Sequence, residues 1–304
     1  MTTPTFAIPE LFCVKGLVAL ITGGGTGIGL MCARALAENG AKVYIVGRRR
    51  EVLEAAVEGF RKLRATSECG GGAMVPIVGD TSEKETIVRI MKEMEGREKW
   101  LDLLINNAGV SGPRCTVIDQ EGAEAIGNAM FACDTEEAIK LFKINSLGYY
   151  YMSAAFLPML NRSPNGGQII NITSNLSFGR EPVAGVLYAM SKAATTHLTK
   201  LLATILKDTN VRCNEIAPGL FPSEMTEPLL DQRRSNVLQN SENVNGSERP
   251  INWLKPNAAR TMQFGTPDDI ASTVLYFASK RQRYLSGSVV MLDGGMLNRM
   301  PSSY

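Results

Sequence analysis

The sequence feature that most constrains the fold is a cluster of glycines between an apolar run and a helical pattern. Residues 17–22 are apolar up to a final threonine, the next seven residues read G-G-G-T-G-I-G, and an amphipathic helical pattern continues to Glu38. A continuous apolar run of strand length is typical of a strand buried on both faces. Glycines at the turn allow a sharp change of direction and a close approach of a phosphate to the helix N-terminus. The stretch therefore predicts a dinucleotide-binding strand, turn and helix.

The same alternation of strand and helix patterns continues along the chain. Further strands are predicted at 41–46, 73–78, 101–105, 168–173 and 289–292, and helices at about 49–65, 83–94 and 135–161. Residues 111–134 have little periodicity and are expected to be irregular. Repeated alternation predicts a doubly wound parallel sheet of about seven strands with helices on both faces, a Rossmann-type α/β fold. We expect one domain over 1–304, with an N-terminal arm at 1–12, a substrate lid at 220–262 and a C-terminal tail at 293–304.

Polar residues follow several of the predicted strands. Asp80 ends the third strand, where it can accept a hydrogen bond from an adenine amine, and the fourth strand ends in N-N-A-G. In open sheets of this kind, ligands bind beyond the carboxyl ends of the strands. The cofactor contacts predicted in this half of the chain are Gly23, Thr26, Gly27, Ile28, Gly29, Asp80, Thr81, Asn107 and Gly109.

The end of the second predicted strand distinguishes between the two nicotinamide cofactors. A dinucleotide-binding fold commonly places an acidic residue there, which binds the ribose hydroxyls. This chain has Gly47, Arg48 and Arg49 instead. Arginine binds a 2′-phosphate well, whereas a carboxylate would repel it. We therefore predict NADP(H), with Arg48 as the main contact and Arg49 and Thr26 as helpers. The alternative is that these arginines only end a strand at the surface.

Tyr188 and Lys192, four residues apart, form a candidate catalytic pair. On a helix, residues i and i+4 lie on the same face. A fixed positive charge near a phenol favours the phenolate and lowers the tyrosine pKa, whose ordinary value is about 10. Tyr188 can then exchange a proton with a carbonyl or alcohol oxygen. Taken alone, the pattern also fits a solvated helical face.

Several segments, taken in chain order, resemble a known family. They are T-G-G-G-T-G-I-G at 22–29, N-N-A-G at 106–109, Asn145, Ser174, Y-x-x-x-K at 188–192 and I-A-P-G at 216–219. Over essentially its full length the chain resembles the short-chain dehydrogenase/reductase family. The resemblance implies a Rossmann-type fold, direct hydride transfer without a metal, and a homodimer or homotetramer built on the helices that carry Asn145 and Tyr188.

The resemblance also implies roles for individual residues. Tyr188 would donate the proton in reduction, and Ser174 would hydrogen-bond the substrate oxygen. Lys192 would lower the tyrosine pKa and bind the nicotinamide ribose, while Asn145 would anchor a water in a proton relay. The other contacts expected near the nicotinamide are Asn107, Gly109, Pro218, Gly219, Phe221 and Ser223.

Two departures from the family pattern concern the substrate. Ser174 precedes Tyr188 by 14 residues, one more than the commonest family spacing, so Ser177 is a second candidate for the serine role. The segment after Gly219 is long and has apolar flanks, which favours a lipophilic substrate. The run I-A-P-G-L-F-P-S-E-M-T is similar to one in rhamnolipid-type 3-oxoacyl reductases and fungal reductases of secondary metabolism. This similarity implies a ketone on an acyl or polyketide-like substrate.

Composition and charge exclude other classes. The net charge is +2 and the basic run at 48–50 is isolated, so we expect no nucleic-acid partner. Six cysteines have no close pair and no histidine cluster, so reduced thiols are expected, with neither a disulfide framework nor a metal site. No secretory signal or membrane-length apolar run is present, so a cytoplasmic protein is expected.

Two alternative functions remain open at this point. The first is a cofactor-binding scaffold for a non-redox step such as a cyclisation, which the long lid and the shifted serine leave possible. The second is an NAD-dependent polyol dehydrogenase, which conflicts with Arg48. An NADPH-dependent ketone reductase is the hypothesis that the residues favour.

Overall fold

A seven-stranded parallel sheet organises the computed structural model, which describes residues 6–66, 71–113, 117, 120–227 and 264–303. The strand order is β3-β2-β1-β4-β5-β6-β7, so the chain changes direction across the sheet between β1 and β4. The predicted doubly wound Rossmann-type sheet is therefore confirmed. The strands are β1 (Val18–Thr22), β2 (Lys42–Gly47), β3 (Ala73–Val78), β4 (Leu103–Asn106), β5 (Gly167–Ile172), β6 (Val211–Pro218) and β7 (Val289–Leu292).

Helices cover both faces of this sheet. Alternate residues of β1 point to opposite faces, so that Ala19 and Ile21 belong to one buried cluster and Val18 and Leu20 to the other. The first cluster includes residues of α2, α3 and α9, and the second includes residues of α4, α7 and α8. The helices are α1 (Ile8–Leu11), α2 (Gly27–Glu38), α3 (Arg50–Thr66), α4 (Lys84–Glu95), α5 (Ala123–Phe131), α6 (Thr135–Phe142), α7 (Gly148–Asn161), α8 (Val186–Ile205) and α9 (Pro267–Ala278).

The structure corrects two expectations about helices. The region from 111 to 134, expected to be irregular, contains α5. None of the residues of α5 is buried, and its apolar side chains, Ile126, Met130 and Phe131, are exposed. The helix is short and contains a glycine, so its pattern in the sequence is weak. The predicted helix over 135–161 is interrupted by a π turn, Lys143–Leu147, which joins α6 to α7. Such π turns occur as single-turn bulges inside α-helices, and here helix continues on both sides.

The predicted lid falls mostly on residues 228–262, which lie outside the described residues. Its first part is described and forms a tight turn, in which the Thr226 hydroxyl donates to the Phe221 carbonyl at 2.6 Å. The C-terminal tail pairs with the segment that follows Ser174. Arg180 N donates to Pro301 O at 2.7 Å, and Ser303 N donates to Phe178 O at 2.8 Å. The tail therefore lies beside the predicted substrate end.

One cysteine differs from expectation. Cys133 is disulfide-bonded, so the expectation of reduced thiols is wrong at this position, whereas Cys13, Cys32 and Cys213 are free. Spacing along the chain does not reveal which cysteines the fold brings together.

Within the described residues, no group of three or more His, Cys, Asp or Glu side chains is placed to hold a metal ion. None of the helices described is both long enough and apolar enough for a membrane crossing.

Candidate active site

A cavity of about 530 Å³ opens at the carboxyl ends of the strands, beside the change of strand order between β1 and β4. This is the place where open α/β sheets bind ligands. Every predicted site residue lines the cavity except Gly29, Asn145 and the second serine candidate, Ser177. The sequence therefore identified residues that the fold brings together from almost the whole length of the chain.

The glycine-rich turn between β1 and α2 forms one wall of this cavity. Gly23 and Gly27 have φ values of +65° and +51°, which side chains rarely adopt. A Cβ on Gly29 would lie 2.3 Å from the Gly23 carbonyl oxygen, so the helix can approach the turn only with glycine there. Thr26 is the N-cap residue of α2, and its side chain makes no capping hydrogen bond. The Thr26 side chain therefore leaves the first backbone N–H groups of α2 free. Free N–H groups at a helix N-terminus are what an anion needs in order to bind there.

Asn107 holds this turn against β4. Its side-chain amide donates to the carbonyl oxygens of Thr22 at 2.9 Å and Gly23 at 3.2 Å. Its backbone N–H donates to the Thr22 hydroxyl at 2.9 Å. The turn therefore keeps its shape through hydrogen bonds within the protein, and the residues present fit the diphosphate of a dinucleotide.

The opposite end of the cavity carries paired charges. The Arg48 guanidinium lies 4.0 Å from the Asp80 carboxylate, whose other oxygen accepts from Ser82. Arg49 makes two hydrogen bonds to the Glu224 carboxylate, at 2.8 and 2.9 Å. Sequence reasoning identified both arginines but missed Glu224, because this contact joins residues 175 positions apart. This end of the cavity therefore has two cations, each beside a carboxylate.

Asn145 lies in the π turn and joins three parts of the site. Its side-chain amide donates to the Val110 carbonyl at 3.0 Å and to the Ser191 hydroxyl at 3.1 Å, and its side-chain oxygen accepts from Val110 N at 2.9 Å. Its backbone carbonyl accepts from the Thr195 hydroxyl at 2.8 Å. A polar residue is tolerated inside this helix because its buried amide is hydrogen-bonded within the protein.

Tyr188 and Lys192 lie one turn apart near the start of α8, and both line the cavity. Burial raises the pKa of Tyr188 to about 12, and the neighbouring Ser174 hydroxyl opposes this rise. Burial lowers the pKa of Lys192 to about 8. The Lys192 ammonium donates to the Ile172 carbonyl at 3.0 Å and to the Tyr149 hydroxyl at 3.4 Å.

The predicted lowering of the Tyr188 pKa by Lys192 stays a prediction, because the two causes that shift this pKa in the structure are burial and the Ser174 hydroxyl. Burial raises the pKa of the phenol, and the ammonium is directed toward Ile172 and Tyr149. The phenol is therefore neutral near pH 7, which is the form that can donate a proton. The spacing of the two residues correctly placed them on one wall, but it could not indicate how deeply that wall is buried.

The two serine candidates differ in position. Ser174 lines the cavity, and its hydroxyl oxygen accepts from Leu176 N at 3.1 Å at the start of a 3₁₀ turn, Asn175–Ser177. The Ser177 hydroxyl is buried, does not line the cavity and has no hydrogen-bond partner in the described part of the chain. The geometry favours Ser174 as the hydroxyl that meets a ligand.

Comparison with known proteins assigns the chain to a protein family. A family model described as short chain dehydrogenase matches residues 17–234. The chain belongs to the short-chain dehydrogenase family. This match covers the glycine-rich turn, the π turn, both serines, Tyr188, Lys192 and β6. An oxidoreductase fold and the family resemblance predicted from the motifs are confirmed.

Individual relatives match nearly the whole chain. The short-chain dehydrogenase/reductase PhomF of Diaporthe leptostromiformis is 38% identical over 99% of this chain and 98% of its own length. A rhamnolipids biosynthesis 3-oxoacyl-[acyl-carrier-protein] reductase of Pseudomonas aeruginosa is 28% identical over 93% of this chain and 97% of its own. Among solved structures, the Pseudomonas aeruginosa RhlG/NADP active-site complex is similar, with a TM-score of 0.74, 26% identity, and coverage of 95% and 99%.

Within this member of the family, some residues around the site were missed by sequence reasoning. Tyr149 is buried beneath Lys192 and donates to the Ile172 carbonyl at 2.9 Å. Thr195 donates to the backbone of Asn145, and Glu215 lies fully buried on β6. The i+4 spacing of Asn145 from Tyr149, and of Ser191 from Thr195, would have placed these pairs on common helix faces. Nothing local in the sequence indicates that Glu215 approaches the same site.

The substrate end of the cavity in this short-chain dehydrogenase is apolar. Leu176 and Tyr188 form a small buried cluster with Leu141, and Met225 and Met300 pack against it. Methionine fills irregular apolar surfaces because its side chain is flexible and polarisable. Other apolar residues that line this end are Val110, Val183, Ala184 and Met296. The C-terminal tail, which has no recognisable motif, thus contributes part of the wall.

Proposed function

We propose that the protein is an NADPH-dependent oxidoreductase that reduces a lipophilic ketone, of the 3-oxoacyl or polyketide-like type, to a secondary alcohol. The observation that carries this proposal is the neutral phenol of Tyr188, which lines the same cavity as Ser174, Lys192 and the glycine-rich turn. A neutral phenol in hydrogen-bonding reach of a carbonyl oxygen is a general acid for reduction.

Each residue of the catalytic group has one task in this reaction. When bound, the reduced nicotinamide supplies the hydride. Ser174 donates a hydrogen bond to the ketone oxygen, and Tyr188 gives that oxygen its proton. Lys192 binds the nicotinamide ribose. Asn145, whose side chain donates to Ser191 on the helix that carries Tyr188 and Lys192, anchors a water in the relay that returns the proton. No metal is required for these steps.

The cofactor site is built from the residues around the glycine-rich turn and the strand ends. The uncapped N-terminus of α2 would receive the diphosphate. Asp80 and Thr81 would lie at the adenine, Asn107 and Gly109 along the middle of the cofactor. Near the nicotinamide, Pro218, Gly219, Phe221 and Ser223 would form the pocket, with Ser223 at the carboxamide; all four line the cavity.

Preference for NADP(H) rests on the residues after β2. Arg48 and Arg49 line the cavity where a carboxylate would bind the ribose of NAD. A 2′-phosphate carries more charge than the carboxylates of Asp80 and Glu224, which now pair with these arginines. We infer that both guanidinium groups turn to the phosphate, with Arg48 as the main contact and Thr26 beside it.

A lipophilic substrate is supported by the lining of the other end. Apolar side chains from four separate segments, including Val183, Met225 and Met296, line it. A free sugar would leave its hydroxyl groups without partners against such a wall. We infer that the substrate presents an apolar chain or ring system next to its ketone.

Assembly and organisation are also part of the proposal. Five large apolar side chains on the π turn, α7 and α8 are between 45% and 69% exposed, and apolar surface of this kind marks an interaction site where it is contiguous. We propose that the protein forms a homodimer or homotetramer through this surface. We also propose that the chain is a single domain with a lid over 220–262. A cytoplasmic location stays a prediction from the sequence. The exposed residues are Leu147, Tyr150, Met190, Leu201 and Ile205.

A spectrophotometric assay tests this function. Purified protein is mixed with NADPH or NADH and a panel of ketones, including 3-oxoacyl thioesters, aromatic ketones and sugars, and the absorbance of the reduced nicotinamide is followed. We expect ketone-dependent loss of absorbance, faster with NADPH, on the apolar members of the panel. Tight binding of NADPH without consumption on any ketone would contradict the reductase and support a non-redox scaffold.

A further inference from the structure

A fully buried carboxyl group lies behind the catalytic residues. Glu215 is on β6, which pairs with β5, and its side chain is completely inaccessible. One carboxylate oxygen, Oε1, accepts two hydrogen bonds, from the Thr173 hydroxyl at 2.5 Å and the Thr196 hydroxyl at 2.7 Å. The other oxygen, Oε2, finds no hydrogen-bond donor among the described residues. A buried polar atom without a partner costs free energy, so packing alone does not explain this residue.

The two hydroxyl donors belong to the segments that carry the catalytic side chains. Thr173 directly precedes Ser174 at the end of β5, and Thr196 lies one helical turn beyond Lys192 on α8. A single carboxylate oxygen therefore joins the strand end that positions the serine to the helix that positions the tyrosine and the lysine. Because Ser174 and Tyr188 must meet the same substrate oxygen, this connection fixes a distance on which the reaction depends.

The charges around Glu215 are few. Lys192 and Lys200 face it from α8, and Cys213 lies two residues before it on β6. Burial raises the pKa of Glu215, and the Thr173 and Thr196 hydroxyls and the two ammonium groups oppose that rise. Among the described residues, the Lys192 ammonium donates hydrogen bonds only to the Ile172 carbonyl and the Tyr149 hydroxyl, and no carboxylate lies within 4.0 Å of it.

Burial lowers the pKa of Lys192, and Glu215 is the group that opposes this. The two groups meet at the same strand end, because Lys192 donates to the Ile172 carbonyl and Glu215 accepts from the hydroxyl of Thr173, the next residue. A charged ammonium in a site of low dielectric is strongly sensitive to one nearby negative charge.

We propose that Glu215 is a positioning residue for the catalytic group: its buried carboxylate joins the end of β5 to α8 and supplies the negative charge that keeps Lys192 protonated. This inference rests on the proposed function for its catalytic consequence. The charge itself can be tested without turnover.

The direction of the pH effect follows from the sign of the charge. Removing a negative charge destabilises the ammonium of Lys192, so its pKa decreases from about 8. As the pH rises, Lys192 of the variant therefore loses its proton at a lower pH than in wild type. Activity that requires the ammonium declines at that lower pH as well. Glu215→Gln keeps the size of the side chain and an oxygen for both threonines, so it changes mainly the charge.

The first measurement is the pKa of Lys192 in the protein without cofactor. Trace acylation with acetic anhydride across pH, with the labelled Lys192 peptide quantified by mass spectrometry, reports the deprotonated fraction. In Glu215→Gln we expect the midpoint to decrease by about one pH unit relative to wild type, roughly a tenfold change in the deprotonated fraction below the midpoint. An unchanged midpoint would overturn the proposal.

The control is Glu98→Gln, the same chemical change at a partly buried carboxylate that accepts from Tyr44 at 2.6 Å and does not line the cavity. Its Lys192 midpoint is expected to match wild type. Glu215→Asp retains the charge and is expected to stay near the wild-type midpoint. If Glu215→Gln does not fold, a midpoint shifted by a full unit in Glu215→Asp contradicts the role of the charge.

The second measurement is the alkaline limb of kcat/KM for ketone reduction. It is expected to move to lower pH in Glu215→Gln, in the same direction as the acylation midpoint, and to stay in place in Glu98→Gln. A fall in kcat/KM with an unmoved limb would show a structural role only and would overturn the proposal. Absence of turnover in wild type would count against the reductase, whereas the acylation result would still decide the role of Glu215.

Discussion

The two ends of the cavity differ in how far their polar side chains are buried. At the catalytic end, Tyr188, Lys192 and Asn145 are at most 8% exposed, and the side chains of Lys192 and Asn145 donate to backbone carbonyls. At the opposite end, where we propose that the adenosine of the cofactor binds (the adenosine end), the side chains of Arg48 and Arg49 are 60% and 53% exposed, and each faces a carboxylate. The catalytic end is fixed by burial, whereas the adenosine end is made of charges that can exchange partners in water.

This difference has energetic consequences. A polar group buried without water interacts strongly with its neighbours, and removal of one member leaves the others without partners. Exposed ion pairs contribute little, because water and salt screen them. We therefore expect substitutions at the catalytic end to abolish the chemistry, and substitutions at the adenosine end to change which cofactor is preferred.

The largest effect is expected for Tyr188→Phe. The change removes the proton donor and keeps the ring that packs with Leu141 and Leu176. We expect kcat for ketone reduction to fall roughly 10²- to 10⁴-fold, the usual contribution of a general acid, with NADPH affinity near wild type. Steady-state assays and fluorescence titration with NADPH measure the two. Retention of more than a tenth of the wild-type kcat would place the proton donor elsewhere.

A smaller effect is expected for Arg48→Ala. Loss of a charge-assisted hydrogen bond to the 2′-phosphate should raise KM for NADPH roughly tenfold, and KM for NADH should change little. Arg50→Ala is the matched control, since Arg50 is an exposed arginine that pairs with Glu54 and does not line the cavity. An equal loss for both cofactors in Arg48→Ala would mean that the arginine does not recognise the phosphate.

The smallest effect is expected for Glu224→Gln. The carboxylate occupies Arg49 in this structure and must release it before the arginine can bind a phosphate. Because the pair is exposed, we expect NADPH affinity to increase only about two- to fivefold. Isothermal titration in low and high salt measures this, and the gain should shrink at high salt. Weaker NADPH binding would show that Glu224 supports the cofactor site.

The sequence predicted the fold and most of the site because the deciding signals are local. The apolar run before Gly23 and the glycines after it specify a strand, turn and helix within about a dozen residues. The order of the later motifs fixed the positions of Ser174, Tyr188 and Lys192. Each of these was expected at a strand end or on a helix face, and the parallel sheet brings such positions to one edge.

The features that were not predicted depend on contacts between distant residues. The Glu215 bridge joins β6 to β5 and α8, and the Glu224 pair joins the two sides of the cavity. The pKa of Tyr188 depends on burial, which the spacing to Lys192 does not report. Helix α5 was missed because it is short, contains a glycine and packs no residue into the core.

The most direct experiment tests separately the hydride from NADPH and the proton from Tyr188. NADPH carrying deuterium at the transferable position of C4 is incubated with the protein and a lipophilic ketone, and the alcohol is analysed by mass spectrometry for wild type and Tyr188→Phe. We expect one deuterium on the carbinol carbon with wild type, and formation of the same alcohol at least 10²-fold more slowly with Tyr188→Phe. Alcohol without deuterium at that carbon, or equal rates for the two proteins, would contradict the proposed mechanism.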